Sequence, residues 1–351
     1  MRPIALVAPG PLDARTGGHI YNRRMAEGLR RRGWIVDVVE LDASFPYPTR
    51  AALRDAARAF AAIRTGTMTV VDSLAFGAMA DLLECEAQRL RIVALVHLPL
   101  AADVSLDRDT AARFEEEECR ALNTAALVVV TGRAALPLLA KYSLDTVRIV
   151  VIEPGTDRAP LAHGSRGREI ELLSVATLHA GKGHETLLEA LAMVPHQEWK
   201  LTCAGSLTRD TQTADRVRAT IQTLKLEDRV VLAGDLDGPA LAACYDRADV
   251  FVLASRQETY GMAVAEALAH GLPVVATTTG AIAELVGNDA GLLVRVGDVP
   301  ALVEALSRML GDAGLRARLT EGACRARERL PGWEEASARM DASLTSLAAH
   351  G

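Results

Sequence analysis

The stretch that decides the fold lies in the second half of the chain, where residues 250–268 read VFVLASRQETYGMAVAEAL. An apolar strand pattern is followed by a short polar loop with one glycine and then by a helical pattern. This order places the loop at the carboxyl end of a sheet strand, where open α/β sheets bind ligands. The helix start offers unpaired N–H groups and a partial positive charge, which suit a phosphate. Glu258 in the loop and Glu266 in the helix could accept hydrogen bonds from the sugar and the ribose of a nucleotide-sugar.

Short apolar runs alternate with helical patterns along the whole chain, which indicates parallel βαβ units with right-handed crossovers. The predicted strands are 4–8, 34–40, 68–72, 91–96, 127–131, 148–152, 171–176, 199–204, 229–233, 250–254, 273–276 and 291–294. The helices predicted in the first half are 19–32, 50–64, 76–89, 108–124 and 133–142. The Gly/Pro-rich residues 154–169 interrupt this rhythm and are typical of an interdomain linker. The chain is therefore predicted to contain two doubly wound α/β domains in series.

Composition excludes several classes of protein. The 351 residues are 50% apolar, which is enough for two sizeable cores. A net charge of −6 and an aromatic content of only 4% argue against a nucleic-acid partner. The five cysteines lack metal-ligand spacing, so we expect reduced, mostly buried thiols in a cytoplasmic protein. No apolar run matches a signal peptide or a transmembrane segment, which leaves only peripheral membrane contact open.

Residues 250–268, with 269–277 and 280–286, resemble the E-x7-E signature of retaining glycosyltransferases with the GT-B fold, in particular glycosyltransferase family 4. The resemblance covers nearly the whole chain and is densest in the second half. It implies an α/β protein with two Rossmann-like, doubly wound parallel-sheet domains that face each other across a cleft. The acceptor-side domain would comprise residues 1–157, with a C-terminal helix in 332–351 packed back on it. The nucleotide-sugar donor domain would comprise residues 158–331.

The resemblance also implies a set of donor-site residues. Three are assigned to catalysis: His97 would orient the donor sugar, Lys182 would grip the diphosphate, and Glu258 would hold the sugar. Glu266 would fix the ribose. The remaining donor-binding predictions are Gly17, Gly18, Thr177, Gly205, Ser206, Leu236, Arg256, Thr259, Tyr260, Gly261 and Met262. Gly17 and Gly18 also precede a helix, where paired glycines let backbone N–H groups approach a phosphate closely.

The chain departs from the family pattern at Thr177, where an arginine is expected. A hydroxyl cannot reproduce a bidentate Arg–phosphate contact. Arg256 or Arg15 could supply the missing charge, or the site could hold a less charged transition state.

Two acidic patterns are assigned structural roles. The Asp-x-Asp stretches 107–109 and 235–237 each precede a helix, so we interpret them as N-caps or solvated side chains and expect no catalytic metal. The four glutamates at 115–118 are interpreted as a solvated helix face.

The activity implied is transfer of a sugar, with retention of configuration, from a UDP- or GDP-sugar to an acceptor hydroxyl. The expected mechanism is a front-face substitution that needs no metal and no cofactor beyond the nucleotide-sugar co-substrate. The acceptor could be a small molecule, a glycan or a lipid-linked sugar. Two alternatives stay open: a GT-B epimerase acting on the nucleotide-sugar itself, and a catalytically silent nucleotide-sugar-binding protein.

Overall fold

The computed structural model describes residues 2–145, 148–196 and 198–349. Its strands are β1 (Arg2–Pro9), β2 (Trp34–Leu41), β3 (Met68–Asp72), β4 (Arg91–Val96), β5 (Leu127–Val130), β6 (Ile149–Val151), β7 (Ile170–Val175), β8 (Trp199–Ala204), β9 (Val230–Gly234), β10 (Val250–Leu253), β11 (Val274–Thr277) and β12 (Gly291–Val294). Its helices are α1 (Gly17–Arg31), α2 (Arg50–Ala62), α3 (Ser73–Phe76), α4 (Ala80–Glu86), α5 (Arg108–Thr124), α6 (Ala135–Leu139), α7 (His184–Met193), α8 (Thr211–Thr223), α9 (Gly238–Arg247), α10 (Met262–Ala269), α11 (Ile282–Val286), α12 (Val299–Gly311), α13 (Ala313–Arg327) and α14 (Trp333–Ala349). Short 3₁₀ turns occupy Leu100–Ala102, Ala140–Tyr142 and Ala180–Lys182.

The strands form two six-stranded sheets in which the paired neighbours run parallel, and this confirms the predicted doubly wound α/β fold. The strand orders are β2-β1-β3-β4-β5-β6 and β12-β11-β10-β7-β8-β9. In each sheet, the chain first adds strands on one side of its first strand and then crosses to the other side. This change of direction lies between β1 and β3 in the first sheet and between β7 and β10 in the second. Ligands of such sheets bind outside the carboxyl ends of the strands at this point.

Side-chain alternation explains why the central strands are apolar along their whole length. In β10, Val250 and Val252 pack into the core on one face of the second sheet. Phe251 and Leu253 pack into the core on the other face. Helices cover both faces, so both sets of side chains are removed from water, as in parallel sheets generally.

The chain divides into two compact units, residues 1–155 with 331–351 and residues 156–330. The C-terminal helix α14 packs on α1 of the first unit. Gly28 of α1 makes this approach close, because a Cβ atom there would collide with the Ser337 side chain. The predicted helix at 332–351 begins at Trp333, and its last two residues lie outside the described part of the chain.

The predicted helix at 76–89 is wrong in its extent, because two short helices, α3 and α4, occupy this region. Gly77 ends α3, and a side chain there would collide with Glu118 and Leu100. The close packing of this turn on α5 therefore breaks the helix.

The expectation of mostly buried cysteines holds only in part. All five cysteines are free, but only Cys203 and Cys244 are buried. Cys119 and Cys324 are half-buried, and Cys85 is exposed on the solvent face of α4.

Candidate functional site

The loop between β10 and α10 holds Glu258 in a fixed position. The Glu258 backbone N–H donates to the Thr279 hydroxyl at 3.1 Å. Gly280, at φ +58°, lies so close that a Cβ atom there would collide with the Glu258 carbonyl. The turn after β11 therefore supports this loop from the side, and neither Thr279 nor Gly280 was singled out from the sequence as a site residue.

Glu258 and Lys182, predicted separately as ligand contacts, form an ion pair. The Lys182 Nζ lies 2.7 Å from Glu258 Oε1, with side chains 30% and 13% exposed. The Ser255 hydroxyl donates to the same carboxylate oxygen at 2.9 Å. The Arg256 backbone N–H donates to the Gly181 carbonyl at 2.8 Å, which ties the Lys182 turn to the Glu258 loop. The adjacency of β7 and β10 in the sheet brings the two charges together.

The helix α10 presents an N-terminus without a side-chain cap. Gly261 is the N-cap residue at φ +98°, and no acidic residue lies in the first turn. Three residues beside Gly261 were also predicted to bind the donor. Of these, Tyr260 is buried, while Thr259 and Met262 are half-buried. Such a helix start carries a partial positive charge that favours an anion.

Glu266 projects from α10 and is held by a residue that the sequence interpretation missed. The Tyr245 hydroxyl donates to Glu266 Oε2 at 3.0 Å. Burial, together with the Glu266 carboxylate, raises the pKa of Tyr245 well above its usual value, so the phenol stays protonated and acts as the donor. The Tyr245 ring stacks on His270 with centroids 4.7 Å apart. This stacking fixes the phenol, and the phenol fixes the carboxylate.

The turns after β7 and β8 lie against each other. Gly205 has φ +147°, and a Cβ atom there would collide with the Ala176 carbonyl. The Leu178 N–H donates to the Ser206 carbonyl at 3.0 Å. Thr177 is half-buried between these contacts. These predicted site residues therefore share one edge of the sheet, at the carboxyl ends of its strands.

The turn after β9 joins the same edge. The Gly205 N–H donates to the Gly234 carbonyl at 2.9 Å, and the half-buried Leu236 follows. Asp237 caps α9 by accepting from the Ala240 N–H at 2.8 Å, which confirms its predicted role. Asp107 caps α5 in the same way.

Arg256 is exposed, and its side chain makes no hydrogen bond or ion pair with another described residue. Its backbone, by contrast, is fixed through Gly181. Whether Arg256 or Arg15 replaces the arginine expected at Thr177 stays a prediction.

In the first unit, His97 belongs to a polar cluster at the ends of β3 and β4. Its Nε2 lies 3.2 Å from Asn22 Oδ1 and 3.3 Å from Asp72 Oδ2. Asn22 also donates to Asp72 at 2.6 Å. Burial raises the pKa of the Asp72 carboxyl, but contacts from His97, Asn22 and the Leu74 N–H outweigh it, so the pKa lies below its usual value. Asp72 and Asn22 therefore fix the ring of His97, and neither was recognised in the sequence.

Gly17 and Gly18 form the first turn of α1, whose N-cap Thr16 makes no side-chain capping bond. A Cβ atom at Gly18 would lie 3.2 Å from the His97 ring. Glycine thus lets the helix start pack on this ring. The predicted contacts of Gly17, Gly18 and His97 with a donor stay predictions.

The interpretation of residues 115–118 as a solvated face is wrong for Glu118, which is buried. Its carboxylate accepts from the Leu100 N–H at 2.6 Å, the Ala101 N–H at 3.0 Å and the Tyr142 hydroxyl at 2.7 Å. Burial raises the pKa of this carboxyl. Glu118 thus anchors the loop that follows His97.

Within the described ranges, no group of three or more His, Cys, Asp or Glu side chains is arranged to hold a metal ion. Nor is any described helix long and apolar enough to cross a membrane.

Comparison with solved structures identifies the fold. Sucrose-phosphate synthase from Thermosynechococcus elongatus matches with a TM-score of 0.84 and 24% identity, covering 100% of both chains. Anabaena Alr3699/HepE, solved in complex with UDP and glucose, matches with a TM-score of 0.77 and 16% identity, covering 98% of this chain and 100% of that one. These likenesses, with the two parallel sheets, confirm the predicted GT-B fold.

The relatives found by sequence are named as glycosyltransferases. A D-inositol 3-phosphate glycosyltransferase from Xylanimonas cellulosilytica is 34% identical over 232 residues, which cover 61% of this chain and 55% of that protein. A second, from Salinispora tropica, is 30% identical over 57% of this chain and 46% of the relative. The chain thus spans about half the length of the curated relatives it matches. Residues 156–325 match the family described as glycosyl transferases group 1. This segment, which makes up nearly all of the second unit, therefore belongs to the group 1 glycosyl transferases.

Proposed function

We propose that this chain is a glycosyltransferase that moves a sugar from a UDP- or GDP-sugar to an acceptor hydroxyl with retention of configuration. The observation that carries the proposal is the Lys182–Glu258 ion pair beside the uncapped N-terminus of α10, with Glu266 farther along the same helix. One cation, one helix start and two carboxylates match the charges and hydroxyls of a nucleotide-sugar. The same segment matches the glycosyltransferase family.

In this proposal, Glu266 holds the ribose. A carboxylate can accept from both ribose hydroxyls, and the phenol of Tyr245 keeps it oriented at 3.0 Å. Lys182 and the N-terminus of α10 bind the diphosphate, since both offer positive charge to phosphate oxygens. Glu258 is then left to accept hydrogen bonds from hydroxyls of the donor sugar.

The proposed chemistry is substitution on one face of the anomeric carbon. The bond from this carbon to the diphosphate oxygen breaks, and a bond to the acceptor oxygen forms on the same face. The acceptor's proton passes to the departing diphosphate. The protein stabilises the charge that develops on the leaving group, which is the kind of contribution that most lowers such barriers.

The proposal requires no metal ion, because Lys182 and the N-terminus of α10 stabilise the negative charge of the diphosphate. The two Asp-x-Asp stretches support this proposal, since Asp107 and Asp237 serve as helix caps. Activity that persists after treatment with a chelator would agree with this mechanism, whereas activity restored only by a divalent cation would contradict it.

Calorimetry with UDP and GDP tests the proposed nucleotide site. We expect one of them to bind, and we expect Glu266→Gln to weaken that binding about tenfold or more, because a charge-assisted hydrogen bond contributes about 1.5–3 kcal/mol. Glu304→Gln is the matched control, since Glu304 is exposed on α12. Equal losses in both variants would remove Glu266 from the site.

Turnover with a panel of UDP- and GDP-sugars tests the reaction itself. Proton NMR of the product reports whether the anomeric configuration of the donor is kept. A donor sugar that changes configuration in the absence of any acceptor would instead favour an epimerase. Binding without turnover across a broad acceptor panel would favour a silent binder.

A further inference from the structure

A separate cleft lies in the second unit at the carboxyl ends of β10, β11 and β12. Its volume is about 80 Å³, and its polar lining consists of Arg256, Arg295, Thr186, Thr277 and Asp298. Neither Lys182 nor Glu258 lines it.

The charge in this cleft is unbalanced. Arg256 and Arg295 are both exposed, and in the described part of the chain neither side chain has an ion-pair or hydrogen-bond partner. The acidic residue in the lining is Asp298, whose carboxylate accepts from the Ala301 N–H at 3.0 Å as the N-cap of α12. Two guanidinium groups therefore face one carboxylate that is already hydrogen-bonded. Guanidinium groups suit phosphate oxygens, to which each can donate two parallel hydrogen bonds.

The rest of the lining favours a phosphate group attached to an organic body. Val294, Val296 and Leu302 supply an apolar wall beside the arginines. A bare phosphate ion would leave this apolar wall uncovered. A phosphate monoester could place its anionic end between the arginines and its carbon skeleton along the wall.

Hydrogen bonds connect Thr277, in the polar lining of this cleft, to the Lys182–Glu258 pair. The Thr277 hydroxyl donates to the Ser255 carbonyl. The Ser255 hydroxyl donates in turn to Glu258 Oε1 at 2.9 Å, the oxygen that also contacts Lys182. Arg256 lies in the same loop, between Ser255 and Glu258.

We propose that the cleft between Arg256 and Arg295 is a binding site for a phosphate monoester, distinct from the site built around Lys182 and Glu258. The inference rests on this cleft alone and does not require the proposed function. Its ligand is recognised by two guanidinium groups at the anionic end and by an aliphatic wall along the body.

The test is isothermal titration calorimetry of the full chain with glucose 6-phosphate and, separately, with inorganic phosphate. We expect one glucose 6-phosphate per chain, bound more tightly than inorganic phosphate. Arg295→Gln should weaken the binding at least about tenfold, in line with the loss of a charged hydrogen bond. Arg308→Gln, which removes an exposed arginine from the last turn of α12, should leave it unchanged. Equal affinities in Arg295→Gln and Arg308→Gln, or no binding to wild type, would overturn the proposal.

Two further variants keep the outcome clear. Val296→Glu adds a carboxylate to the same wall and should also weaken binding, which guards against a folding defect specific to Arg295→Gln. Lys182→Gln should leave glucose 6-phosphate binding intact. Binding that is lost in Lys182→Gln and kept in Arg295→Gln would place the phosphate in the other site and contradict the inference. If UDP and GDP fail to bind while glucose 6-phosphate binding depends on Arg295, the proposed function fails and this inference stands.

Discussion

Replacing Glu258 by glutamine should tighten the binding of a nucleoside diphosphate while slowing sugar transfer. In the structure the Lys182 ammonium is neutralised by Glu258 at 2.7 Å. A diphosphate that binds Lys182 must compete with the Glu258 carboxylate for the ammonium group. The negative charge of this carboxylate also repels the diphosphate. Glutamine has nearly the same size and can still accept from the Ser255 hydroxyl, so the loop keeps its hydrogen bond while the competing charge is removed.

The geometry sets the size of the effect. Two unit charges at this separation attract by about 1.5 kcal/mol at the dielectric constant of water and by about 6 kcal/mol at an effective value near 20. Lys182 and Glu258 are 30% and 13% exposed, so solvent screens the pair, and exposed pairs contribute only about 0.2–1 kcal/mol. We therefore expect a gain of about 1 kcal/mol, which is about a fivefold lower dissociation constant. The sugar, by contrast, loses a charged acceptor.

Calorimetry of UDP and GDP against wild type and Glu258→Gln measures this gain. Glu304→Gln again provides the control for a general change in net charge. The difference should shrink at high ionic strength, because salt screens a half-exposed charge. Weaker or equal nucleotide binding in Glu258→Gln would refute the reasoning, since it would mean that Lys182 does not meet the diphosphate.

Three further predictions concern groups around the sites. In urea titrations, Glu118→Ala should lower the free energy of unfolding of the first unit by about 3–5 kcal/mol, because two backbone amides and a phenol lose their acceptor. The control variant Glu116→Ala, at an exposed position, should change this free energy by less than about 0.5 kcal/mol. Burial, helped by the Lys182 charge, lowers the pKa of His184 to about 4. As pH drops from about 6.5 toward 4, the unfolded chain therefore binds a proton at His184 that the folded chain does not yet bind. The free energy of unfolding should fall by up to about 3 kcal/mol over this range. Melting curves at about pH 7 and about pH 5 should show a smaller difference in His184→Leu, and an unchanged difference would contradict this assignment. Gly280→Ala should weaken nucleotide binding about tenfold in calorimetry, because the new Cβ atom would displace the loop that leads into the N-terminus of α10, which meets the diphosphate in the proposed site.

The sequence predicts the strands well because both faces of each sheet are covered. A parallel strand such as β10 must be apolar at every position, and this leaves a short uninterrupted run that is easily recognised. The loop after it was also predictable, since Gly261 separates the polar loop from the helix. The neighbours of that loop were not. Lys182 and Glu258 are 76 positions apart, and their contact depends on β10 pairing with β7, which residue patterns do not specify.

Glu118 shows a different kind of failure, because the signal was present. It lies one helical turn after Phe114 and one turn before Leu122, and all three point to the core. The run of four acidic residues obscured this spacing, which a helical period would have revealed. The cluster of Asp72, Asn22 and His97 had no such signal, because its members come from three separate elements.

The return of the chain to the first unit has a consequence for the order in which the protein folds during synthesis. Residues 156–330 are contiguous, so the ribosome delivers the whole second unit at once. The first unit must wait for α14, whose Met340 and Leu344 are fully buried. Until those residues emerge, the apolar side chains of α1 that they cover stay open to water and to chaperones. A premature stop codon after residue 330 would therefore leave the later-made unit intact and the earlier-made one incomplete.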